Sequence, residues 1–415
     1  MTNKHHRVPL AALAAAATLA TFAAPASAVD WGGYFRAGPG ATKKDASRAC
    51  YGLAGPGLKY RLGNECDFYG EFMLSQGFKA DGVEYKANLM TNLWSPGSDT
   101  GAISYGSTGQ TATNESLDHS KVGINQMYVE GKGYDIAPQA SFWIGKRFYG
   151  RADVHIVDTF YVNMSGVGAG ADNIVDLGTG KVNVAYFRTD GGATQPGSRL
   201  NVDAHDIEVN PGGKLRVTGA FTSGDFSGGK SGASLSFQHN QDNVFGLGGG
   251  NTLWVQFATG SAGLDANFGN LAAPSGTRAM RLVESLTWQV GALGGQAQAV
   301  WQTDKDGATG LKTNSSTVGG RVSYALTKNF KLLGELGYSQ KKPDNGATQK
   351  LTKFTFAPTL STGPGFWNRP ELRLYVTTAK WNDAANAAAG AGGLTGIGDG
   401  KTSGTSYGAQ VEIWF

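Results

Sequence analysis

Three aromatic residues of this sequence each stand two positions from an ionisable residue: Tyr34 with Arg36, Tyr69 with Glu71, and Trp414 with Glu412. Side chains at this spacing lie on the same face of a β-strand, so each pair presents a ring beside a charge. A ring can stack on the C–H face of a pyranose, and a charged group can exchange hydrogen bonds with its hydroxyl rim. These pairs therefore have the chemistry needed to bind a carbohydrate, provided that strands hold them on one surface.

The strands that must hold them are predicted at both ends of the chain. In Tyr407–Phe415 every second residue from Tyr407 is apolar or small, and the other face carries polar residues and Trp414. Val29–Ala37 alternates in the same way, which suits a strand with lipid on one side and water on the other. Lipid cannot satisfy the backbone groups of an open strand edge. We therefore predict an all-β, antiparallel transmembrane barrel that closes by pairing Val29–Ala37 with Tyr407–Phe415.

Residues 1–28 are predicted to be a secretory signal peptide that is cleaved after Ala28. They combine a basic start, an apolar run too short for a membrane helix, and small residues at the exit. The rest of the 415 residues, 29–415, is predicted to be one barrel domain, and the full chain has 63 Gly against 13 Pro. At about 20 residues per strand and connection it makes about 16 to 20 strands around an aqueous lumen. The formal net charge of +4 indicates no nucleic-acid partner.

Two connections stand out from the rhythm of short turns and long loops, of which we place the long ones outside the cell. The first long connection involves Cys50 and Cys66, and an even cysteine count in an exported chain predicts a disulfide. A metal pair is the alternative, but other soft ligands are lacking nearby. The stretch Trp143–Gly170 is dense in charged and aromatic residues and ends in glycines. This composition predicts a third loop folded into the lumen; the alternative is an external loop with its own small core.

Several motifs resemble those of the maltoporin family, the LamB-type sugar porins. They are Lys59-Tyr-Arg-Leu-Gly-Asn-Glu-Cys66, Gly145-Lys-Arg-Phe-Tyr149, Ser165-Gly-Val-Gly-Ala-Gly170, Asn210-Pro-Gly-Gly213 and Gly408-Ala-Gln-Val-Glu-Ile-Trp414. The resemblance covers both ends and several hairpins, and is weaker between about residues 220 and 350. It implies an eighteen-stranded barrel in the bacterial outer membrane, a homotrimer, a first loop that holds the disulfide, and an inward-folded third loop.

The resemblance also implies that maltose and maltodextrins pass along a line of aromatic side chains, the aromatic slide, beside a track of ionisable residues. Strand alternation by itself turns three slide candidates inward, and motif matches or phase add two more: Tyr34, Tyr69, Trp414, Trp367 and Trp254. The track candidates are Arg36, Arg61, Glu71, Arg151 and Asp158. For Arg151 and Asp158 the alternative is a structural ion pair that ties the third loop to the wall.

The sequence departs from the family pattern at three places. The constriction tyrosine of the family corresponds to Phe160, which keeps a stacking face and lacks the hydroxyl. Asn125 replaces a track arginine. The second loop, Ser95–Gly123, contains no tryptophan, so the aromatic contributed by a neighbouring subunit has only Leu117 as its nearest candidate. These departures concern the preference for sugar chain length and leave the sugar-channel interpretation intact.

Three other functions were weighed. A general diffusion porin, or a channel for another sugar such as sucrose, belongs to the same class. An outer-membrane barrel enzyme is the alternative from another class, but the sequence has no Gly-x-Ser-x-Gly elbow and no His-Glu-x-x-His motif. Asp153, His155 and Asp158 could hold a metal, although spacing alone supports this weakly. We predict a channel that is not an enzyme and needs no cofactor.

Overall fold

The computed structural model describes residues 29–43, 46–96, 121–189 and 194–415. The strands, in chain order, are β1 (Asp30–Ala37), β2 (Gly40–Lys43), β3 (Ala46–Ser47), β4 (Asp67–Ala80), β5 (Val83–Pro96), β6 (Lys121–Lys132), β7 (Ser141–Arg147), β8 (Ala152–Val154), β9 (Thr159–Val162), β10 (Gly166–Asp176), β11 (Lys181–Thr189), β12 (Gly197–Asn210), β13 (Gly213–Gly224), β14 (Ser231–Asp242), β15 (Gly250–Gly260), β16 (Arg278–Val290), β17 (Leu293–Lys305), β18 (Lys312–Ala325), β19 (Phe330–Pro343), β20 (Gln349–Ser361), β21 (Glu371–Trp381) and β22 (Ser403–Trp414). One short helix, α1, spans Asp383–Ala388, and single 3-10 turns lie at His155–Val157 and Val244–Gly246. No helix in these described ranges is long and apolar enough to cross a membrane.

Eighteen of these strands form a closed antiparallel barrel, as the sequence predicts. The remaining four, β2, β3, β8 and β9, are short pieces within loops. The first strand pairs with β4 on one side and with the last strand, β22, on the other. Tyr34 lies opposite Trp414, and Arg36 lies opposite Glu412. The predicted closure of the barrel by its first and last strands is therefore confirmed.

Side-chain alternation separates the lumen from the outer wall. In β21 every second residue is buried and those between are exposed. Glu371 and Arg373 point into the lumen, whereas Leu372 and Leu374 are 55% and 64% exposed on the outside. Because successive strand residues point to opposite faces, one apolar-polar alternation produces both a lipid-facing wall and a polar channel.

The two ends of the barrel differ in the length of their connections. At one end the turns are short: Asp81 and Gly82 join β4 to β5, both with positive φ angles of 49° and 83°. A two-residue hairpin of this kind matches the twist of its strands. At the other end lie the long connections 38–66, 148–165, 261–277 and 382–402. In outer-membrane barrels short turns face the periplasm and long loops face the cell exterior.

The first loop does not follow the predicted strand. The alternation in Tyr60–Leu74 predicts a second strand that begins at Tyr60, but β4 begins at Asp67, and residues 57–66 fold into the lumen. Tyr60 and Leu62 continue the alternation upstream of the strand, which explains the error. Gly63 has a φ of 57°, a left-handed conformation that favours glycine. The predicted disulfide between Cys50 and Cys66 is present in this loop.

The third loop lies inside the barrel, as predicted, and the external-loop alternative is wrong. Its two short strands, β8 and β9, pair with each other, with the turn His155–Val157 between them. The loop reaches the far wall, where the Ile156 amide donates to Gln296 over 3.2 Å. The Tyr161 hydroxyl donates to Gln298 over 3.0 Å. Residues 1–28 and most of the second loop, with Leu117, lie outside the described residues, so the signal peptide stays a prediction.

Candidate functional site

The upper part of the aromatic line is formed by two tyrosines on neighbouring strands. The rings of Tyr34 on β1 and Tyr69 on β4 have centroids 6.4 Å apart. The Tyr69 hydroxyl donates to the Glu71 carboxylate over 2.6 Å. The Asn125 amide donates to both of them, over 3.1 Å to Tyr69 and 2.8 Å to Glu71. Asn125 therefore sits beside the track as a neutral hydrogen-bond donor.

The lower part of the line contains a residue that the sequence interpretation missed. The His155 imidazole lies between Trp414 and Trp367, with ring centroids 5.7 Å and 5.4 Å away and edge-to-face geometry to each. Both tryptophans remain accessible, at 36% and 44% exposure. The sequence offered His155 only as a possible metal ligand. Its place between two rings depends on how the third loop folds, and the aromatic density of that loop was the sole hint.

The fifth slide candidate is placed differently from the others. Trp254 on β15 is 2% exposed, and its ring packs 5.5 Å from that of Tyr161 in the third loop. One edge of Trp254 borders a cavity of about 460 Å³ below that loop. Asp153, Trp367 and Trp414 line the same cavity. Trp254 thus forms part of the wall of this cavity and supports the third loop.

The ionisable track consists of paired charges that join three parts of the chain. Arg36 on β1 contacts Asp67 over 3.1 Å, Glu65 of the first loop over 3.2 Å and Asp158 of the third loop over 3.2 Å. Arg61 of the first loop contacts the same Glu65 over 2.9 Å and the same Asp158 over 3.6 Å. The two arginines share these carboxylates, so the upper track carries many donors and acceptors but little net charge.

The track continues around the wall through Glu412 on β22, which lies opposite Arg36. Its carboxylate accepts from the Tyr34 hydroxyl over 3.2 Å and from Arg369 over 3.0 Å. Arg61 lies 3.2 Å from the same carboxylate, and Arg373 also pairs with it. The Arg369 guanidinium stacks 4.3 Å from the Trp414 ring. Glu412 therefore connects the aromatic line to the track from the upper tyrosine to the lower tryptophan.

The surroundings of Arg151 differ from those of the other track candidates. The Arg151 guanidinium lies between two rings, 3.8 Å from the centroid of Phe160 and 4.1 Å from that of Phe148. Among the described residues it makes no ion pair and no hydrogen bond, unlike Arg36 and Arg61. The alternative of an ion pair between Arg151 and Asp158 is therefore wrong, because Asp158 pairs with the other two arginines.

Hydrogen bonds to backbone carbonyls hold the third loop against the opposite wall. The Tyr161 carbonyl accepts from Gln256 over 2.7 Å and from Arg281 over 3.2 Å. The Asn163 carbonyl accepts from Asn267, in the connection 261–277, over 2.8 Å. These groups replace the water that would otherwise solvate the loop backbone, so the loop keeps one position in the lumen.

The residues raised as a metal site do not assemble as one. In the described part of the chain no group of three His, Cys, Asp or Glu side chains has metal-binding geometry. The two ring nitrogens of His155 instead face Arg61 over 3.4 Å and Arg369 over 3.3 Å. Two guanidinium groups at these distances disfavour both the binding of a metal cation and protonation of the imidazole.

The same surroundings determine the protonation of two third-loop residues, which lie outside the membrane-spanning strands. Burial lowers the pKa of His155 to about 4, although the Glu412 carboxylate opposes this shift. For Asp158, burial disfavours the charged form, but Arg61 and Arg36 outweigh it and hold the pKa of the carboxyl below its usual range. His155 is thus a neutral ring at physiological pH, and Asp158 is an anion.

A neutral His155 predicts that ligand binding beside this ring will be insensitive to mild acid. An exposed histidine would titrate near pH 6.5, whereas this one stays unprotonated until about pH 4. We expect sugar block of ion current to change less than about twofold between pH 8 and pH 5.5. Current recordings over that range provide the measurement. A change in block centred near pH 6.5 that disappears in His155→Gln would contradict the neutral ring.

Comparisons with known proteins agree with this architecture. A protein-family model described as LamB porin matches residues 29–415. Among solved structures, OccAB1 of Acinetobacter baumannii is similar with a TM-score of 0.53 and 11% sequence identity, over 93% of this chain and 96% of that chain. OccK8 (OprE) of Pseudomonas aeruginosa has a TM-score of 0.49 and 10% identity, over 93% and 98% of the two chains. At such identities the similarity to OccAB1 shows the fold alone.

Proposed function

We propose that this outer-membrane porin channel conducts maltose-type and maltodextrin-type carbohydrates. The chain belongs to the LamB porin family. The observation that carries the proposal is the line of rings beside paired charges. Tyr69 and Tyr34 lead down to Trp414 and Trp367, with His155 between the last two. A glucan chain could keep its sugar faces on the rings while its hydroxyls meet the track.

The chemistry of the track supports an uncharged ligand. Arg36 and Arg61 share carboxylates, and Glu412 is matched by several cations. Because these charges are compensated by their neighbours, this part of the track offers hydrogen bonds without a strong field for ions of one sign. A sugar hydroxyl both donates and accepts, so it can use guanidinium and carboxylate groups in turn. Many such weak sites in series favour passage over tight retention.

The filling of the lumen supports a selective channel over a general diffusion porin. Three connections reduce the open cross-section: residues 57–66, the third loop and the connection 261–277. The third loop contacts Gln296 and Gln298 on the far wall. A solute must therefore pass through a restricted opening, close to the aromatic line.

The deciding experiment is a titration of ion current through single channels with a panel of sugars. We expect maltose and longer maltodextrins to block the current in a saturable way, with glucose and sucrose blocking more weakly. Equal, non-saturable reduction of current by all sugars would instead support a general diffusion porin. Stronger block by sucrose would move the substrate to another sugar. Hydrolysis of esters or peptides by the purified protein, without dye release from liposomes, would support the enzyme alternative.

At the constriction, Phe160→Tyr is predicted to tighten maltodextrin block. The added hydroxyl can hydrogen-bond a passing sugar, which contributes about 0.5–1.5 kcal/mol, or roughly two- to tenfold in apparent affinity. Phe160→Ala should raise conductance and weaken block, because it opens the constriction and removes one of the two rings that hold Arg151. The matched control is Phe354→Tyr, whose ring is 45% exposed on the outer wall. Unchanged conductance and block in Phe160→Ala would place this residue away from the constriction.

Two further features belong to the proposal. Cleavage after Ala28 would leave Val29 as the first residue of the exported chain, and sequencing of the amino terminus of protein purified from membranes tests this. A homotrimer is expected from the family, and mass measurement in mild detergent tests it. Any residue from a second subunit that enters the channel would come from the second loop, most of which the structure does not describe.

A further inference from the structure

A row of cations crosses about one third of the outer wall at its extracellular end. It lies at the upper ends of six consecutive strands, β16 to β21, and we call it the basic belt: Arg278, Lys305, Lys312, Lys342, Lys350 and Lys380. All six side chains are exposed. Strand alternation turns each of them outward, since the residues beside them in sequence face the lumen or a loop. The belt is therefore on the membrane side of the barrel and not in the channel.

Strand register places the members of the belt next to one another. Arg278 lies directly opposite Lys305, and Lys305 lies directly opposite Lys312. Lys342 lies opposite Asn314, the next outward residue after Lys312, and is thus its diagonal neighbour. The same two-residue offset relates Lys342 to Lys350, which lies opposite Gln340, and Lys350 to Lys380, which lies opposite Thr352. With neighbouring strands about 4.8 Å apart, the belt is continuous over about 24 Å of the circumference.

The belt lacks compensating charges. Among the described residues, none of its six charged groups makes an ion pair or a side-chain hydrogen bond. Two nearby acids accept from backbone amides: Asp306 accepts from the Thr309 amide in its own turn, and Asp344 accepts from the Lys312 amide at the start of β18. Elsewhere on the barrel, by contrast, outward-facing Arg188 pairs with Asp225 over 2.8 Å. Like charges directly opposite each other destabilise a sheet, so anions from outside the protein would stabilise the belt.

The level of the belt identifies where those anions lie. Four positions deeper on the same faces are two aromatic residues, Trp301 below Lys305 and Tyr338 below Lys342, which are 43% and 38% exposed. Aromatic rings of this kind mark the interface between hydrocarbon and headgroups in barrel proteins. Four strand residues span about 13 Å, which places the cations in the headgroup layer above the rings. The arrangement is suited to phosphate groups, which accept several charge-assisted hydrogen bonds at once.

We propose that the basic belt is a binding surface for the phosphorylated headgroup of the lipid in the outer leaflet, lipopolysaccharide. Phosphates of one or two lipid molecules would neutralise the opposed cations Arg278, Lys305 and Lys312, while the acyl chains lie along the apolar wall beneath. The proposal makes the wall formed by β16 to β21 a lipid-facing surface and not a contact between subunits. It is independent of which sugar the channel conducts.

The test compares lipid binding by purified protein and by variants of equal charge change. Lys305→Gln/Lys312→Gln removes two adjacent belt cations, and Lys181→Gln/Lys328→Gln removes two exposed lysines at the periplasmic end. Binding of labelled lipopolysaccharide in neutral detergent is measured for each, with single-channel ion conductance as the check that the barrel has folded. We expect the belt variant to bind about tenfold or more weakly and the control within about twofold of wild type. The charge-conserving variant Lys305→Arg/Lys312→Arg should bind the lipid as well as wild type does.

The choice of lipid distinguishes the source of the phosphate. Dephosphorylated lipopolysaccharide should bind wild type as weakly as intact lipid binds the belt variant, and millimolar inorganic phosphate should not compete. Equal binding by the belt variant and wild type would overturn the proposal. Full competition by inorganic phosphate would show a site for free anions and would also overturn it. A loss of trimers in the belt variant, with lipid binding intact, would assign the surface to subunit contact instead.

Discussion

Trp414→Ala is expected to weaken sugar block about fivefold while ion conductance stays constant or rises. An aromatic contact contributes about 1 kcal/mol beyond simple burial, which corresponds to about that change in affinity. The ring is 36% exposed in the lumen and is held by Arg369 on one side and by His155 on the other. Its removal takes away a stacking surface and also an obstruction. The measurement is the concentration of maltodextrin that halves the current.

The matched control for this variant is Trp301→Ala. Trp301 is 43% exposed, but it lies on the outer wall, so its removal should leave sugar block unchanged. Trp367→Ala should weaken block by a similar amount to Trp414→Ala. The double variant need not be additive, because both rings contact His155. Equal block in wild type and Trp414→Ala would remove the aromatic line as the binding surface.

Glu335→Ala is expected to lower the free energy of unfolding by about 3–5 kcal/mol, the cost of leaving buried charges without their partner. Glu335 on β19 is fully buried, and its carboxylate accepts from Arg321 over 2.7 Å and from Lys353 over 3.0 Å. It also accepts the Leu62 amide of the first loop over 2.9 Å. The substitution therefore leaves two buried cations without their carboxylate partner and detaches the loop segment that narrows the lumen.

Urea unfolding of the protein in detergent micelles would measure this loss, and single-channel recordings should show larger, noisier currents. Glu335→Gln should have a smaller effect, because the amide oxygen can still accept from the Leu62 amide. The control is Glu84→Ala, which breaks an exposed contact of 3.3 Å with Lys79 and should change stability by less than about 1 kcal/mol. Similar unfolding curves for Glu335→Ala and Glu84→Ala would show that the buried cluster does not hold the first loop.

The strand phases could be predicted because they depend on local alternation alone. Tyr34 and Trp414 were placed in the lumen from period-two patterns, and they lie opposite each other in the structure. Alternation that continues beyond the end of a strand leads to a wrong strand boundary. Tyr60 has the phase of the outward-facing residues of β4 but belongs to the loop inside the barrel. A segment joins the barrel wall only where a neighbouring strand forms backbone hydrogen bonds with it. A local sequence pattern does not reveal whether that neighbouring strand is present.

By itself, then, the sequence determined the class of the molecule: a closed barrel, a disulfide-linked first loop, an inward third loop, and rings and charges on the lumen face. These follow from periodicity, composition and motif resemblance. Only the tertiary structure decided which groups meet. Asp158 pairs with Arg36 and Arg61, leaving Arg151 between two rings, and His155 joins the aromatic line. Such contacts join residues distant in sequence, and a shift of one residue in strand register would turn each side chain to the other face.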